Sequence, residues 1–239
     1  HAADAPLTIN SIEFTATPAP TTVAEMVTPH TSSQAVVTLI DGSTRTFPLD
    51  YHVLHRSGDF IGGGYAGLIT DKAGQPVMQS GPDKHGNVGR GPFYAQGADG
   101  TSLLMVPGAQ AHRLYLDNHL EYETEPPNID PTKPPADLYG ALPMAMTLTT
   151  LDQTPASGVL TPVKVANVDF SSVEGVWIPC NGSTTPWQTH LGSEEYEPDA
   201  HAFESKPLEA MNLYLGTQSK TAAEGGAKPY RYGHLVEVT

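Results

Sequence analysis

Short runs rich in apolar and β-branched residues, separated by turn residues, recur along most of this chain. Such runs bounded by turn residues are typical of strands. The runs predict strands at residues 9–15, 35–40, 44–49, 66–70, 76–79, 103–106, 113–118, 142–151, 159–168, 175–178 and 232–238. Asp41-Gly42 between two β-branched runs predicts a hairpin turn. A second hairpin is predicted around residues 71–75.

Other segments follow a different pattern. Residues 207–215 predict one helix, with proline at its start and Leu208, Met211 and Leu215 at helical spacing. Residues 1–30 are rich in Thr, Ala and Pro and predict an extended N-terminal arm with one strand, while residues 81–100 and 121–135 predict irregular loops. The whole pattern predicts an all-β fold, compatible with a propeller or a sandwich.

Composition supports short strands joined by turns and restricts the partners. The 239 residues include 23 glycines and 22 prolines, and only 16% are charged, which favours turns over a helical bundle. A net charge of −14 argues against nucleic acid or an anionic membrane as the main partner. No apolar run approaches the roughly 20 residues needed to span a membrane. An anionic substrate would need bound cations to offset this charge.

The stretch from Cys180 to Glu195 concentrates the candidate chemistry. It holds the only cysteine, a Thr-Pro-Trp sequence ending at Trp187, then His190 and the adjacent Glu194 and Glu195. One polarisable thiolate beside many hard oxygen donors suits a site for a transition metal together with a hard cation such as calcium. If the segment is extended, the two glutamates point in opposite directions and serve different contacts.

Each of these residues also has an ordinary structural interpretation. Taken alone, Cys180 is more typical of an inert buried thiol than of a ligand. The acidic residues from Glu194 onward are compatible with a solvated loop. His190 is evenly balanced between supporting a ligand and simple packing.

Three segments resemble the PhoX-type alkaline phosphatases. The main one is Cys180-Asn-Gly-Ser-Thr-Thr-Pro-Trp187 followed by His190-Leu-Gly-Ser-Glu194-Glu195, which is similar to the cysteine signature of that family. Asp117-Asn118-His119-Leu-Glu121-Tyr resembles the family's Asn-His-Glu-Tyr segment, with Leu120 inserted. On a regular strand that insertion moves Glu121 to the other face. The closing residues 230–237 are similar to an aromatic–glycine strand of the family.

The resemblance implies a bacterial, secreted or periplasmic enzyme that hydrolyses phosphate esters with iron and calcium ions. It implies that Cys180 is a thiolate bridging iron and that Glu194 and Glu195 are acidic metal ligands. Asn118, His119, Glu121, Trp187 and His190 would line the same site. The expected partner of this site is a small phosphate ester.

The resemblance also implies a β-propeller with irregular loop insertions, of which residues 1–239 form the N-terminal half. Because a propeller blade takes roughly 40 to 45 residues, this length cannot close a full ring. We therefore expect a C-terminal fragment of the same precursor to complete the propeller. The alternative is a non-catalytic, calcium-stabilised propeller module that binds a ligand or partner and keeps the motif as a structural element.

Overall fold

A computed structural model describes residues 8–28, 31–79, 91–95, 97–121 and 145–239. The chain divides into two compact units, His1–Val53 and Leu54–Thr239. The prediction of one propeller domain over the whole chain stays a prediction. The predicted loop at 121–135 and most of the one at 81–100 lie outside the described residues.

The first unit is a three-stranded antiparallel sheet with one short helix. Its elements are β1 (Ile9–Phe14), α1 (Val23–Val27), β2 (Gln34–Leu39) and β3 (Thr44–Pro48), and β2 lies in the centre. The predicted hairpin is confirmed: Gly42 has a φ of 81°, and its amide donates to the Leu39 carbonyl. A left-handed φ of this kind favours glycine in the tight turn.

The second unit consists mainly of small antiparallel sheets. Its strands are β4 (Phe60–Ile61), β5 (Gly64–Tyr65), β6 (Met78–Gln79), β7 (Gly91–Pro92), β8 (Ala98–Leu104), β9 (Arg113–Leu120), β10 (Ala145–Gln153), β11 (Leu160–Asn167), β12 (Pro179–Thr184), β13 (His190–Glu194) and β14 (Leu235–Val238). Two short helices follow the β13 strand, α2 (Ala200–Phe203) and α3 (Glu209–Leu215). No helix in the described part of the chain is both long and apolar enough to cross a membrane.

Two sheets of this unit position the candidate site. One is the four-stranded meander β8-β9-β10-β11, and the other is β12-β13-β14. Strand β12 packs beside β8. Both faces of the meander carry buried side chains. His119 and Leu120 are neighbours on β9, so their side chains point to opposite faces, and both are buried. Among the described residues of the unit, the largest fully buried apolar side chains are Ile69, Met146, Leu151, Val165, Val176, Ile178 and Met211.

The β12–β13 hairpin carries the cysteine motif and closes through a tight turn. The Thr185 amide donates to the Thr189 carbonyl, and their hydroxyl oxygens lie 2.8 Å apart. Gln188 adopts a left-handed φ of 67° in this turn. The motif is therefore a strand pair rather than a loop, although its composition is unlike that of an apolar strand.

The all-β prediction is confirmed, and most strand predictions match within a few residues. The predicted helix is also confirmed as α3, which ends at Gly216 in the left-handed conformation. The predicted strand at 66–70 is present only as isolated bridges at Leu68 and Thr70, and the predicted strand at 175–178 is wrong. There the Trp177 amide donates to the Glu194 carboxylate, and Ile178 has a φ of 20°. The Glu194 side chain therefore accepts the amide hydrogen that a neighbouring strand would have accepted in a sheet.

Candidate functional site

One thiol and three carboxyl groups meet where β8, β9 and β12 lie side by side. Asp99 on β8, Glu121 just after β9 and Cys180 on β12 present ligand atoms that all lie within 4.8 Å of one another. The Glu195 carboxylate lies beside them and helps to raise the pKa values of both Glu121 and Cys180. We call these four residues the thiol–carboxylate cluster.

Local irregularities bring these four side chains together. The β8–β9 pairing shifts register between Ala98 and Thr101, which is where Asp99 lies. Glu121 comes directly after the last β9 residue, and its amide donates to the Gly97 carbonyl. A residue outside the regular ladder is free of the strict alternation of faces. The inserted Leu120 therefore does not carry Glu121 away from Cys180.

The electrostatics of the thiol–carboxylate cluster favour bound cations. Burial, followed by hydrogen bonds with Glu195 and Asp99, raises the pKa of Glu121 to about 7. Burial, together with the Asp99 and Glu195 carboxylates, raises the pKa of the Cys180 thiol to about 12. The Cys180 thiol therefore keeps its proton at neutral pH unless a metal ion is bound. Coordination of a metal ion would deprotonate it.

The adjacent residue Glu194 faces a different set of partners. Its Oε1 accepts from the Trp177 amide, and its Oε2 accepts from the amides of Gly233 and His234 at 2.6 and 2.9 Å. Both oxygens are therefore committed to backbone donors, and Glu194 does not join the thiol–carboxylate cluster. The opposed orientation expected of two neighbouring glutamates is what the structure shows, although the metal-ligand role of either residue stays a prediction.

A second group of ligand atoms lies in the interior. Asp117 and His119 on β9 and His190 on β13 are 0% exposed, and their ligand atoms lie within 4.8 Å of one another. The Nε2 atoms of the two histidines are 2.6 Å apart, and Asp117 Oδ1 lies 3.6 Å from His190 Nε2. We call these three residues the histidine–aspartate cluster.

Hydrogen bonds orient both imidazoles of this cluster. His119 Nδ1 donates to the Cys180 carbonyl at 2.9 Å, and His190 Nδ1 lies 2.8 Å from Ser102 Oγ. The two rings stand at 86° to each other. Neither Asp117 oxygen has a hydrogen-bond partner among the described residues. Burial raises the pKa of Asp117 to about 7, and burial with the neighbouring His119 lowers that of His190 to about 4.

Three glycines allow the strands to approach the imidazoles this closely. A Cβ on Gly100 would lie 2.8 Å from His119 Nδ1, and one on Gly192 would lie 2.9 Å from His119 Nε2. A Cβ on Gly182 would lie 2.8 Å from His190 Cε1. The space occupied by the two rings is therefore provided by missing side chains on β8, β12 and β13.

The remaining predicted site residues lie at the edge of these clusters or away from them. Asn118 Nδ2 donates to Thr101 Oγ1 at 3.0 Å, and its side chain lies near the Asp99 carbonyl. Trp187 is 64% exposed in the β12–β13 turn, where its Nε1 donates to Glu237 Oε1 at 2.7 Å. Trp187 thus fixes the hairpin turn and belongs to neither ligand group.

Sequence reasoning missed Asp99, Ser102 and Asp117. The signal for Asp117 is present: it lies two residues before His119, so both share one face of a strand. Asp99 stands in an Asp-Gly pair that predicts a turn rather than a ligand, and nothing local distinguishes Ser102. These residues become informative only through pairing with distant strands.

A cavity of about 390 Å3 lies elsewhere in this unit. It is lined by residues that include Tyr65, Asp71, Asn167, Asp169 and Tyr214. No residue of either cluster lines this cavity. Among the described residues, the cavity and the two clusters therefore lie at different places.

Comparison with known proteins adds no assignment. No family model, curated protein or solved structure matches this chain.

Proposed function

We propose that this chain is the N-terminal part of a secreted, metal-dependent phosphoric ester hydrolase of the PhoX type. The observation that carries the proposal is the thiol–carboxylate cluster. The motif cysteine, two motif-linked glutamates and an unforeseen aspartate come from separate strands and meet within a few ångströms. Acidic groups this close together repel one another, which is unfavourable unless cations compensate for their charge.

The donor set fits the iron and calcium that the resemblance implies. The Cys180 thiolate is a soft ligand suited to iron, whereas Asp99, Glu121 and Glu195 offer the hard oxygens that calcium takes. Such ions, when bound, supply a Lewis acid for the phosphoryl oxygens and a water of lowered pKa. The role of the chain's own residues is to hold that positive charge in a protein of net charge −14.

The sheet topology supports a propeller as the finer architecture. A propeller blade is a four-stranded antiparallel meander, and β8-β9-β10-β11 has that order. We propose that the three-stranded sheet β12-β13-β14 belongs to the next blade. A C-terminal fragment of the same precursor would then supply the remaining blades.

Metal content and hydrolysis, measured together, test this function. The purified protein should contain iron and calcium, absorb visible light through its thiolate–iron bond, and hydrolyse p-nitrophenyl phosphate. Cys180→Ser should abolish the visible absorption and lower hydrolysis at least about 100-fold, because the soft ligand is lost. Trp187→Phe is the matched control, since it changes a motif residue outside both clusters.

Two results would contradict the proposal. One is a protein that binds neither iron nor calcium when both are supplied. The other is a colourless protein that retains calcium alone and hydrolyses no phosphate ester, which is the result expected of a calcium-stabilised binding module. Activity unchanged in Cys180→Ser would equally refute the role of the thiolate.

A further inference from the structure

We propose that Asp117, His119 and His190 form a second metal site, buried behind the thiol–carboxylate cluster, for a divalent first-row transition ion such as zinc. Two imidazoles and one carboxylate are a common ligand set for such ions. The inference does not rest on the proposed function, because it uses none of the ligands assigned to the hydrolytic centre.

The first argument is the unpartnered carboxyl group. Asp117 is 0% exposed, and neither of its oxygens has a hydrogen-bond partner among the described residues. A buried ionised carboxylate without a partner is strongly unfavourable, and a protonated one would leave its hydroxyl unpaired. Its Oδ1 lies 3.6 Å from His190 Nε2, so the group points toward the histidines. A cation between them would satisfy it.

The second argument is the tautomer of His119. The Cys180 carbonyl can only accept, so the 2.9 Å contact places the His119 proton on Nδ1. Nε2 of His119 then carries a lone pair directed at His190. A ring that donates one nitrogen's proton to a backbone carbonyl and offers the other nitrogen is the usual arrangement of a metal-bound histidine.

The third argument concerns His190. Its Nδ1 contacts Ser102 Oγ, which accepts or donates. If Nε2 of His190 carries a proton, it donates to His119 and the carboxyl group of Asp117 stays unpaired. If Nδ1 carries the proton instead, it donates to Ser102, and three lone pairs converge. Only the second arrangement, with a cation present, satisfies both imidazoles and also gives the Asp117 carboxylate a partner.

The distances are compatible with this ion. Ligands about 2.0–2.1 Å from a tetrahedral zinc lie roughly 3.3 Å apart. The Asp117–His190 separation of 3.6 Å is close to that value, whereas the imidazole nitrogens at 2.6 Å must move apart by less than about 1 Å.

The experiment isolates this site by removing the other one. The chain carrying Cys180→Ser and Glu121→Gln is stripped with chelator, dialysed and titrated with zinc or cobalt(II). We expect about one ion per chain, a cobalt spectrum with tetrahedral ligand-field bands but no thiolate charge-transfer band, and a zinc absorption-edge shell of nitrogen and oxygen. Adding Asp117→Asn should weaken zinc binding at least about ten-fold.

The Asn variant is close in size, and circular dichroism checks that it folds. His190→Gln provides a second test and should weaken zinc binding similarly. The proposal is overturned if the parent chain retains no zinc, if its zinc shell contains sulfur, or if either folded variant binds zinc as tightly as its parent. Because Cys180 and Glu121 are already replaced, loss of hydrolysis does not enter this result.

Discussion

His119 and His190, which lie 71 positions apart in sequence, bring their Nε2 atoms within 2.6 Å in the interior of the second unit. His119 also contacts the carbonyl of Cys180, so the buried pair and the thiol share one strand junction. The junction of β9, β12 and β13 therefore holds the buried histidine pair and also supports the thiol–carboxylate cluster.

Asp117 makes the metal-free chain sensitive to rising pH. Burial raises its pKa to about 7, above the unfolded value, so its contribution to stability is present below about pH 4 and is lost as the pH rises through about 7. A pKa shift of this size can lower the free energy of unfolding by at most about 4 kcal/mol. In the presence of chelator, Asp117→Asn should therefore unfold at higher denaturant concentration than wild type at pH 8, but not at pH 4. Parallel pH profiles for the two proteins would contradict this.

His190 gives the opposite dependence. Burial and His119 lower its pKa to about 4, so its contribution is present above about pH 6.5 and is lost as the pH falls through about 4. Between pH 6.5 and pH 4 the free energy of unfolding of the wild type should fall by up to about 3 kcal/mol more than that of His190→Gln. The reason is that the glutamine stays neutral throughout. Thermal unfolding of both chains in chelator measures this. His201→Gln is the control, because that histidine lies on the surface.

Glu194 and Glu195 should behave differently although they are adjacent. Glu194→Ala leaves the amides of Trp177, Gly233 and His234 without their acceptor, and we expect a loss of about 2–4 kcal/mol in the free energy of unfolding. Glu195→Ala should cost less than about 1 kcal/mol in the metal-free chain, yet weaken metal binding at the thiol–carboxylate cluster. Equal effects of the two variants on metal content would refute the division of roles.

The strands were predictable because their signal is local. Residues 35–40 and 44–49 are β-branched runs on either side of an Asp-Gly turn, and the structure places β2 and β3 there. The cysteine motif lacks this local signal, because its glycines and hydroxyl residues do not form an apolar face. Strands β12 and β13 nevertheless pair there. Those glycines are present because imidazoles from β9 and β13 occupy the space, a cause that is visible only after folding.

The candidate site shows the same limit. Cys180 and Glu195 were identifiable as candidates because one unusual stretch contains both. Asp99 was not, since it joins them through the irregular pairing of β8 with β9. Likewise the buried state of Asp117 depends on β13 covering it, and no sequence period encodes that contact.

Gly100 should be among the least replaceable residues of the second unit. Its φ is not left-handed, so backbone conformation alone does not require glycine there. A Cβ would instead overlap the Cys180 carbonyl oxygen and lie 2.8 Å from the Gly182 amide nitrogen, where both neighbours are backbone atoms that cannot rotate away. Because β8 and β12 must separate to admit a methyl group, Gly100→Ala should destabilise the chain by at least about 3 kcal/mol and weaken metal binding at both clusters.

Gly108→Ala is the matched control: no atom lies within 4 Å of its Cβ, and its φ of 79° predicts a cost of only about 1 kcal/mol. Denaturant unfolding and metal content measured on both variants decide the matter, and a Gly100→Ala chain as stable as the control would show that β8 and β12 are not in close contact.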